Sequence, residues 1–166
     1  MASLAHIAVG AGAGKLDGRR HTWMAYCVLS MLPDADVVAF VLGIPYAAPF
    51  GHRGASHSIF VAVAIALALG LLDRSTRTTL LCLLVACSHG LLDTLTDGGL
   101  GIALLWPFSD ERFFAPLQPI PVAPIGPAFF SARGLWCLFV EAAITAPIWL
   151  ALILPHTATH TRKTGD

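Results

Sequence analysis

Gly51-His52-Arg53-Gly54-Ala55-Ser56-His57-Ser58 runs without a break into the apolar stretch IFVAVAIALALGLL at 59–72. A run of that length with no polar face reads as a membrane-grade helix, and ionisable groups at its mouth need a partner or a function. Two more clusters sit at the ends of other apolar runs: Asp34 and Asp36 in Leu32-Pro33-Asp34-Ala35-Asp36, and His89 and Asp93 in Ser88-His89-Gly90-Leu91-Leu92-Asp93. The three clusters together predict one metal site assembled from helix ends.

Composition supports the membrane reading. The 166 residues are 56% hydrophobic and 12% charged, and the mean hydropathy is +0.73; these values lie outside the ordinary soluble range. The length suits a single domain. A formal net charge of zero removes the basic face that nucleic-acid binding requires. Cys27, Cys82, Cys87 and Cys137 all lie inside apolar runs without CxxC spacing, and read as small buried hydrophobes. The stretch Met1–Gly14 has no positive region ahead of its apolar residues, so it is a poor signal peptide.

Apolar segments at about 3–14, 21–32, 36–44, 56–72, 77–95 and 134–154 predict an all-α integral membrane bundle of five or six helices, several of them short. Pro33 is expected to stop the second and Pro45 to break the third. The last is a full-length span, since about 20 residues cross the hydrocarbon core; the shorter ones imply local bilayer thinning. The glycine-alanine run at 10–14 suits close helix approach in a membrane. Prolines crowd residues 107–127 and predict an irregular interfacial loop on the cluster side. Residues 1–155 form the expected domain, and 156–166, with His156 and His160, a polar tail. The competing expectation is a very apolar soluble bundle, which the lack of a polar face at 58–72 and 135–154 argues against.

If the clusters share one membrane side, seven of the ten basic residues fall on the other: Lys15, Arg19, Arg20, Arg74, Arg77, Arg162 and Lys163. Only Arg53, Arg112 and Arg133 stay with the clusters. The positive-inside rule then places the site on the extracytoplasmic face of a bacterial or archaeal inner membrane. His21 belongs to the basic turn, and Asp73 is expected to pair with Arg74 or Arg77.

His89 and Asp93 stand at i, i+4 and so leave one helix face together, a geometry in which an imidazole and a carboxylate grip one cation. Asp34 and Asp36 have two readings: one can cap the next helix, or the carboxylates can hold or flank a metal, as oxygen ligands suit Zn, Mn or Mg. His57 is expected to point into the shared mouth, with Ser56 as helix cap and Ser58 fixing the imidazole or touching substrate. Arg53 suits a phosphate or carboxylate, or else anchors to lipid headgroups. His52 is a ligand, a supporting group or an acid catalyst. His6 is a ligand candidate or a satisfied core histidine. Glu141, inside the last span, is a ligand or general base by default. Trp106 suits the membrane interface and the substrate, and Phe113, Phe114, Phe129 and Phe130 touch acyl chains or anchor the loop in the interface.

At His6, Leu-Pro-Asp-Ala-Asp 32–36, Gly-His-Arg-Gly-Ala-Ser-His-Ser 51–58, Ser-His-Gly-Leu-Leu-Asp-Thr-Leu-Thr 88–96 and Leu-Leu-Trp-Pro 104–107, the chain resembles the YdjM-like family of membrane-bound, metal-dependent hydrolases. The resemblance implies a helical membrane protein and a hydrolytic reaction. It also implies distant kinship with zinc-dependent phospholipase C, by whose pattern Asp36, His57, His89 and Asp93 are the strongest ligands to carry over.

The expected function is hydrolysis of a phosphoester in a membrane lipid or lipid-linked substrate, at a site of one or two divalent ions. Arg53 is expected on the phosphate, and Asp34 or Glu141 on the water proton. Two rival classes are a metal or proton transporter, for which the spans are few, and a membrane protein whose metal only staples short helices together.

Overall fold

In a computed structural model, which describes residues 3–154, the chain travels back and forth between two ends. The expected polar tail at 156–166 lies outside the described residues. Helix α1 (Ser3–Asp17) leaves the end that carries the clusters, and α2 (Trp23–Met31) returns to it. A 3-10 segment (Leu32–Val37) and the single turn α3 (Val38–Val41) follow. After a loop and a 3-10 turn (Ala55–His57), α4 (Ile59–Asp73) descends and α5 (Thr76–Asp93) climbs back. A long irregular segment with a 3-10 turn at Gly126–Phe130 leads to α6 (Ala132–Ile153). Among the described residues there is no strand, only two isolated bridges, Thr96 with Ile120 and Ile102 with Phe113. The all-α expectation holds.

Three boundaries differ from the sequence reading, each for a local reason. Pro33 does not end the helical path. It sits in the first turn of the 3-10 segment, where a missing N–H is tolerated, so Trp23–Val41 remains one stretch of 19 residues. The third helix shrinks from the expected 36–44 to one turn. The fourth begins at Ile59 because Ser58, not Ser56, is its cap: Ser58 has extended backbone and accepts from the Phe60 N–H. Ser75 and Ser131 cap α5 and α6 in the same way.

The centre of the bundle is made by α1, which packs on α2, α5 and α6, and by α5, which packs on α1, α2 and α4. Their facing residues are small. Ala5, Ala8, Ala11 and Ala13 are buried along α1, and a Cβ on Gly10 would lie 2.7 Å from the Tyr26 carbonyl oxygen and 2.8 Å from Cys27 Cα. Backbones this close are held by dispersion, the mode available to helices in lipid. Large apolar side chains point outward instead: Val41 is 85% exposed, Leu72 81% and Ile153 78%. An apolar exterior of that extent marks a surface meant to be covered, which favours the membrane bundle over the soluble one. Trp23–Val41 and Ala132–Ile153 are long and apolar enough to cross a membrane, and Ile59–Asp73 is apolar but shorter.

Helices α1 and α6 run parallel, which sets like dipole ends side by side. Each helix supplies the other with a charged end group. Glu141 on α6 accepts from the Leu4 N–H at 2.8 Å, at the α1 N-terminus. Lys15 on α1 donates to the carbonyls of Ala151, Leu152 and Leu154 at 2.7–2.9 Å, closing the α6 C-terminus.

At the basic end Arg19 bridges Asp17 and Asp73, and Arg77 donates to the Leu16 carbonyl. Asp73 thus pairs with Arg19 and Thr78, not with Arg74 or Arg77 as expected, because the chain turn folds α1 over the α4–α5 turn. The described basic residues of the two turns share one end, opposite the clusters.

Gly10→Val should lower the melting temperature of the detergent-solubilised protein sharply, since two of the three obstructing atoms are backbone. A Cβ on Gly12 meets nothing within 4 Å, so Gly12→Ala should be neutral or stabilise by up to about 1 kcal/mol. Equal melting of the two variants would contradict the close α1–α2 packing.

Candidate metal centre

Three segments of chain deliver four side chains to one point. Asp34 comes from the 3-10 segment after α2, His57 from the 3-10 turn before α4, and His89 and Asp93 from the last turns of α5. One donor atom from each lies within 4.8 Å of all the others, and all four residues are buried. The i, i+4 pair on α5 behaves as its spacing predicts. Gly90, in the same turn, lets the neighbouring chain approach: a Cβ there would be 2.5 Å from the His57 carbonyl oxygen.

The hydrogen bonds around the two imidazoles fix their orientation. His89 Nδ1–H donates to the Ser30 carbonyl at 2.6 Å, which leaves Nε2 bare in the neutral ring. His57 Nδ1 lies 3.2 Å from Asp36 Oδ2 and 2.9 Å from Ser56 Oγ, so its Nε2 also turns inward. The two Nε2 atoms are 3.1 Å apart. Asp34 Oδ1 is 3.6 Å from His57 Nε2 and 3.7 Å from His89 Nε2, and Asp93 Oδ2 is 3.6 Å from His57 Nε2. Both oxygens of buried Asp34 lack a hydrogen-bond partner. A cation between these groups would satisfy all of them, and mixed imidazole and carboxylate donors suit Zn or Mn.

A proton on His57 is the alternative occupant of that position. Burial alone would lower the His57 pKa, but the neighbouring carboxylates of Asp34, Asp36 and Asp93 outweigh it and push it up to about 10. The His57 imidazolium can then donate to the bare His89 Nε2.

The remaining candidates surround the four and hold them. Asp36, expected as a ligand, faces the outer nitrogen of His57 and accepts from His52 Nδ1 at 2.5 Å, the Arg53 N–H at 2.9 Å and Ser56 Oγ at 2.5 Å. The reason is the 3-10 pitch: at three residues per turn, positions two apart leave different faces, so Asp34 and Asp36 cannot both face one ion. His6 is likewise outside the four. Its Nε2 lies 3.1 Å from Asp93 Oδ1, and its ring stacks on His89 at 3.8 Å between centroids. His52 acts on Asp36 and reaches none of the four directly by hydrogen bond.

Arg53 corrects the expectation of a substrate-facing arginine. It is fully buried, with Nε 3.3 Å from Asp93 Oδ2, Nη1 on the Gly98 carbonyl at 2.7 Å and Nη2 on Thr96 Oγ1 at 2.8 Å. Its backbone is left-handed, with φ of 61°, a strain of about 1–2 kcal/mol for a residue with a Cβ; bonds at both the backbone N–H and the guanidinium hold it there. Glu141, expected as ligand or base, is engaged with α1 instead. Ser58 caps α4 and donates to the Trp106 carbonyl at 2.5 Å, so it neither fixes the imidazole nor faces a substrate. Trp106 is half-buried and packs edge-on against Phe50 at 5.6 Å, at the rim and away from the donors.

Arg112 is the residue that the sequence reading missed. From the proline-rich loop it donates to the carbonyls of Tyr46, Ala48, His52, Arg53 and Gly101 at 3.1–3.4 Å, pinning the loop that carries His52 and Arg53. Burial lowers its pKa from the usual arginine value. The available signal was its isolation: it is one of three cations on the cluster side.

Gly90→Ala should displace the His57 backbone and lower bound metal in the purified protein, measured by elemental analysis. Arg112→Lys, which lacks the five-donor fork, should lower it as well. Full metal content in both variants would contradict this packing.

The comparisons with known proteins agree with the membrane fold. The family described as YdjM inner membrane protein matches residues 1–162. The chain is 42% identical over 124 residues to inner membrane protein YbcI of Escherichia coli (strain K12), covering 71% of this chain and 72% of that protein. No solved structure matches. With the family matched over nearly the whole length, this chain belongs to the YdjM inner membrane protein family.

Proposed function

We propose that this protein is a metal-dependent hydrolase that cleaves a phosphoester of a lipid or lipid-linked substrate at the extracytoplasmic face of the membrane. The observation that carries the reading is the buried convergence of Asp34, His57, His89 and Asp93 on one point. A divalent ion bound there would supply Lewis acidity to a phosphoryl oxygen and acidify a water. The chain's own residues do the rest. Asp34 Oδ2, buried and without a hydrogen-bond partner, is placed to take the proton of the attacking water. His6 and Arg53 hold Asp93 from two sides, while His52 and Ser56 hold Asp36 against His57. The side chains of Asp34 and Asp36 are 4% and 10% exposed, against none for His57 and Asp93, so substrate enters on the aspartate side.

A second reading has one observation in its favour. Four buried protein donors resemble a closed structural site, in which metal staples short helices. The two separate by experiment. Purified protein should carry one or two equivalents of Zn or Mn, lost in Asp34→Asn and His89→Ala. His52→Ala should weaken metal binding by about 10–100-fold, the usual effect of removing a group that orients a ligand. Vesicles of phospholipid or lipid diphosphate should release phosphate or a phosphorylated headgroup, with loss in chelator and recovery on adding Zn or Mn. Tight metal without hydrolysis of any such lipid would favour the staple; wild type that takes up no metal would overturn both.

The His57 proton gives the pH dependence. Its pKa is raised, so metal must displace a proton throughout the neutral range. Affinity should rise about tenfold per pH unit while one proton is released per ion. A pH-independent affinity between pH 6 and pH 8 (on the order of the neutral range) would contradict this.

The extracytoplasmic placement rests on Lys15, Arg19, Arg74 and Arg77 lying opposite the site. A cysteine at Ser109 should react with an impermeant thiol reagent in intact cells, and one at Ser75 should not. The reverse pattern would put the site in the cytoplasm.

A further inference from the structure

The bundle leaves a cleft between α2 and α4, floored by α5, that none of the four converging donors lines. It holds two cavities, of about 190 and 340 Å³, which share Leu29 as a wall. The upper one reaches Pro33 and Ser56, the neighbours of Asp34 and the hydrogen-bond partner of Asp36. The lower one continues past Tyr26, Leu69 and Cys82 to Arg19 and Asp73 at the basic end. Apart from its two ends, and Thr22 and Thr78 near the lower one, the lining is apolar.

We infer that the upper cavity of this cleft holds part of one acyl chain of a membrane lipid, with the headgroup presented at the Asp34–Asp36 side of the metal centre. The inference rests on the proposed lipid chemistry for the choice of headgroup end, but the binding of the chain does not need the metal. Two features fit an acyl chain. The cleft opens beside helices whose outer surfaces are large and apolar, so lipid chains are its immediate neighbours. Its upper polar residues, Ser56 and the Asp36 that it bonds, lie where a headgroup would follow the chain.

The test uses full-length protein in phosphatidylcholine vesicles doped with a phospholipid that carries a mid-chain diazirine. After illumination, adducts mapped by mass spectrometry should concentrate several-fold on the segments around Leu29 and Ile65, relative to the exposed face of α6 at Trp136 and Phe139. Ile65→Trp, which fills the cleft, should remove that excess, whereas Ala64→Trp on the exposed face of α4 should keep it. Asp34→Asn/His89→Ala should keep the excess too, so failure of the metal reading and failure of the cleft show up separately. Adducts spread evenly over all outer faces in wild type would overturn the inference, with or without a folded Ile65→Trp variant. So would an excess that survives in Ile65→Trp.

Discussion

Two imidazole nitrogens that face each other at 3.1 Å inside a buried pocket need a proton or a cation between them. That single constraint organises the cluster end of this protein. Ser30 and Asp36 turn the rings so that both Nε2 atoms point inward. Asp34 and Asp93 bring negative charge that suits a cation at that point. The rest of the end is a scaffold for that arrangement: His6 and Arg53 set Asp93, His52 and Ser56 set Asp36, and Arg112 ties down the loop that carries two of them. Orienting groups of this kind govern ligand basicity and direction as strongly as the ligands govern the ion.

The same end must be held by short helices in a medium that offers no hydrophobic drive between them. The solution is close backbone contact through alanine and glycine on α1, with large side chains left to the lipid. The parallel α1–α6 pair adds a second device. Glu141 and Lys15 exchange end groups across the pair, and the first of these bonds fixes the start of α1, two residues before His6. An intramembrane carboxylate first read as chemistry is thus also a register pin for a residue at the metal centre.

Much of this was legible in the sequence. The apolar runs gave the helices, and the positions of Asp34, His57, His89 and Asp93 at run ends placed all four donors in one candidate site before any coordinates. What failed was the order of shells. Asp34 and Asp36 look equivalent on paper, and only the 3-10 pitch sends one to the donor cluster and the other to the back of His57. Arg53 carries the signature of an anion binder, but a left-handed backbone and three internal partners turn it inward. Ser56 and Ser58 exchange roles because the 3-10 turn ends one residue before the helix cap. Pro33 changes the helix pitch instead of stopping the chain. Each error concerns a turn of two or three residues, below what hydropathy patterns resolve.

The central claim is that nitrogen and oxygen donors from these four residues hold one ion site. X-ray absorption at the metal edge of the zinc-loaded protein tests it most directly. The account predicts a shell of nitrogen and oxygen at about 2.0–2.1 Å with imidazole outer scattering, reduced in His89→Ala. A sulfur shell near about 2.3 Å, as cysteine ligation gives, or an imidazole signal unchanged in that variant, would contradict it.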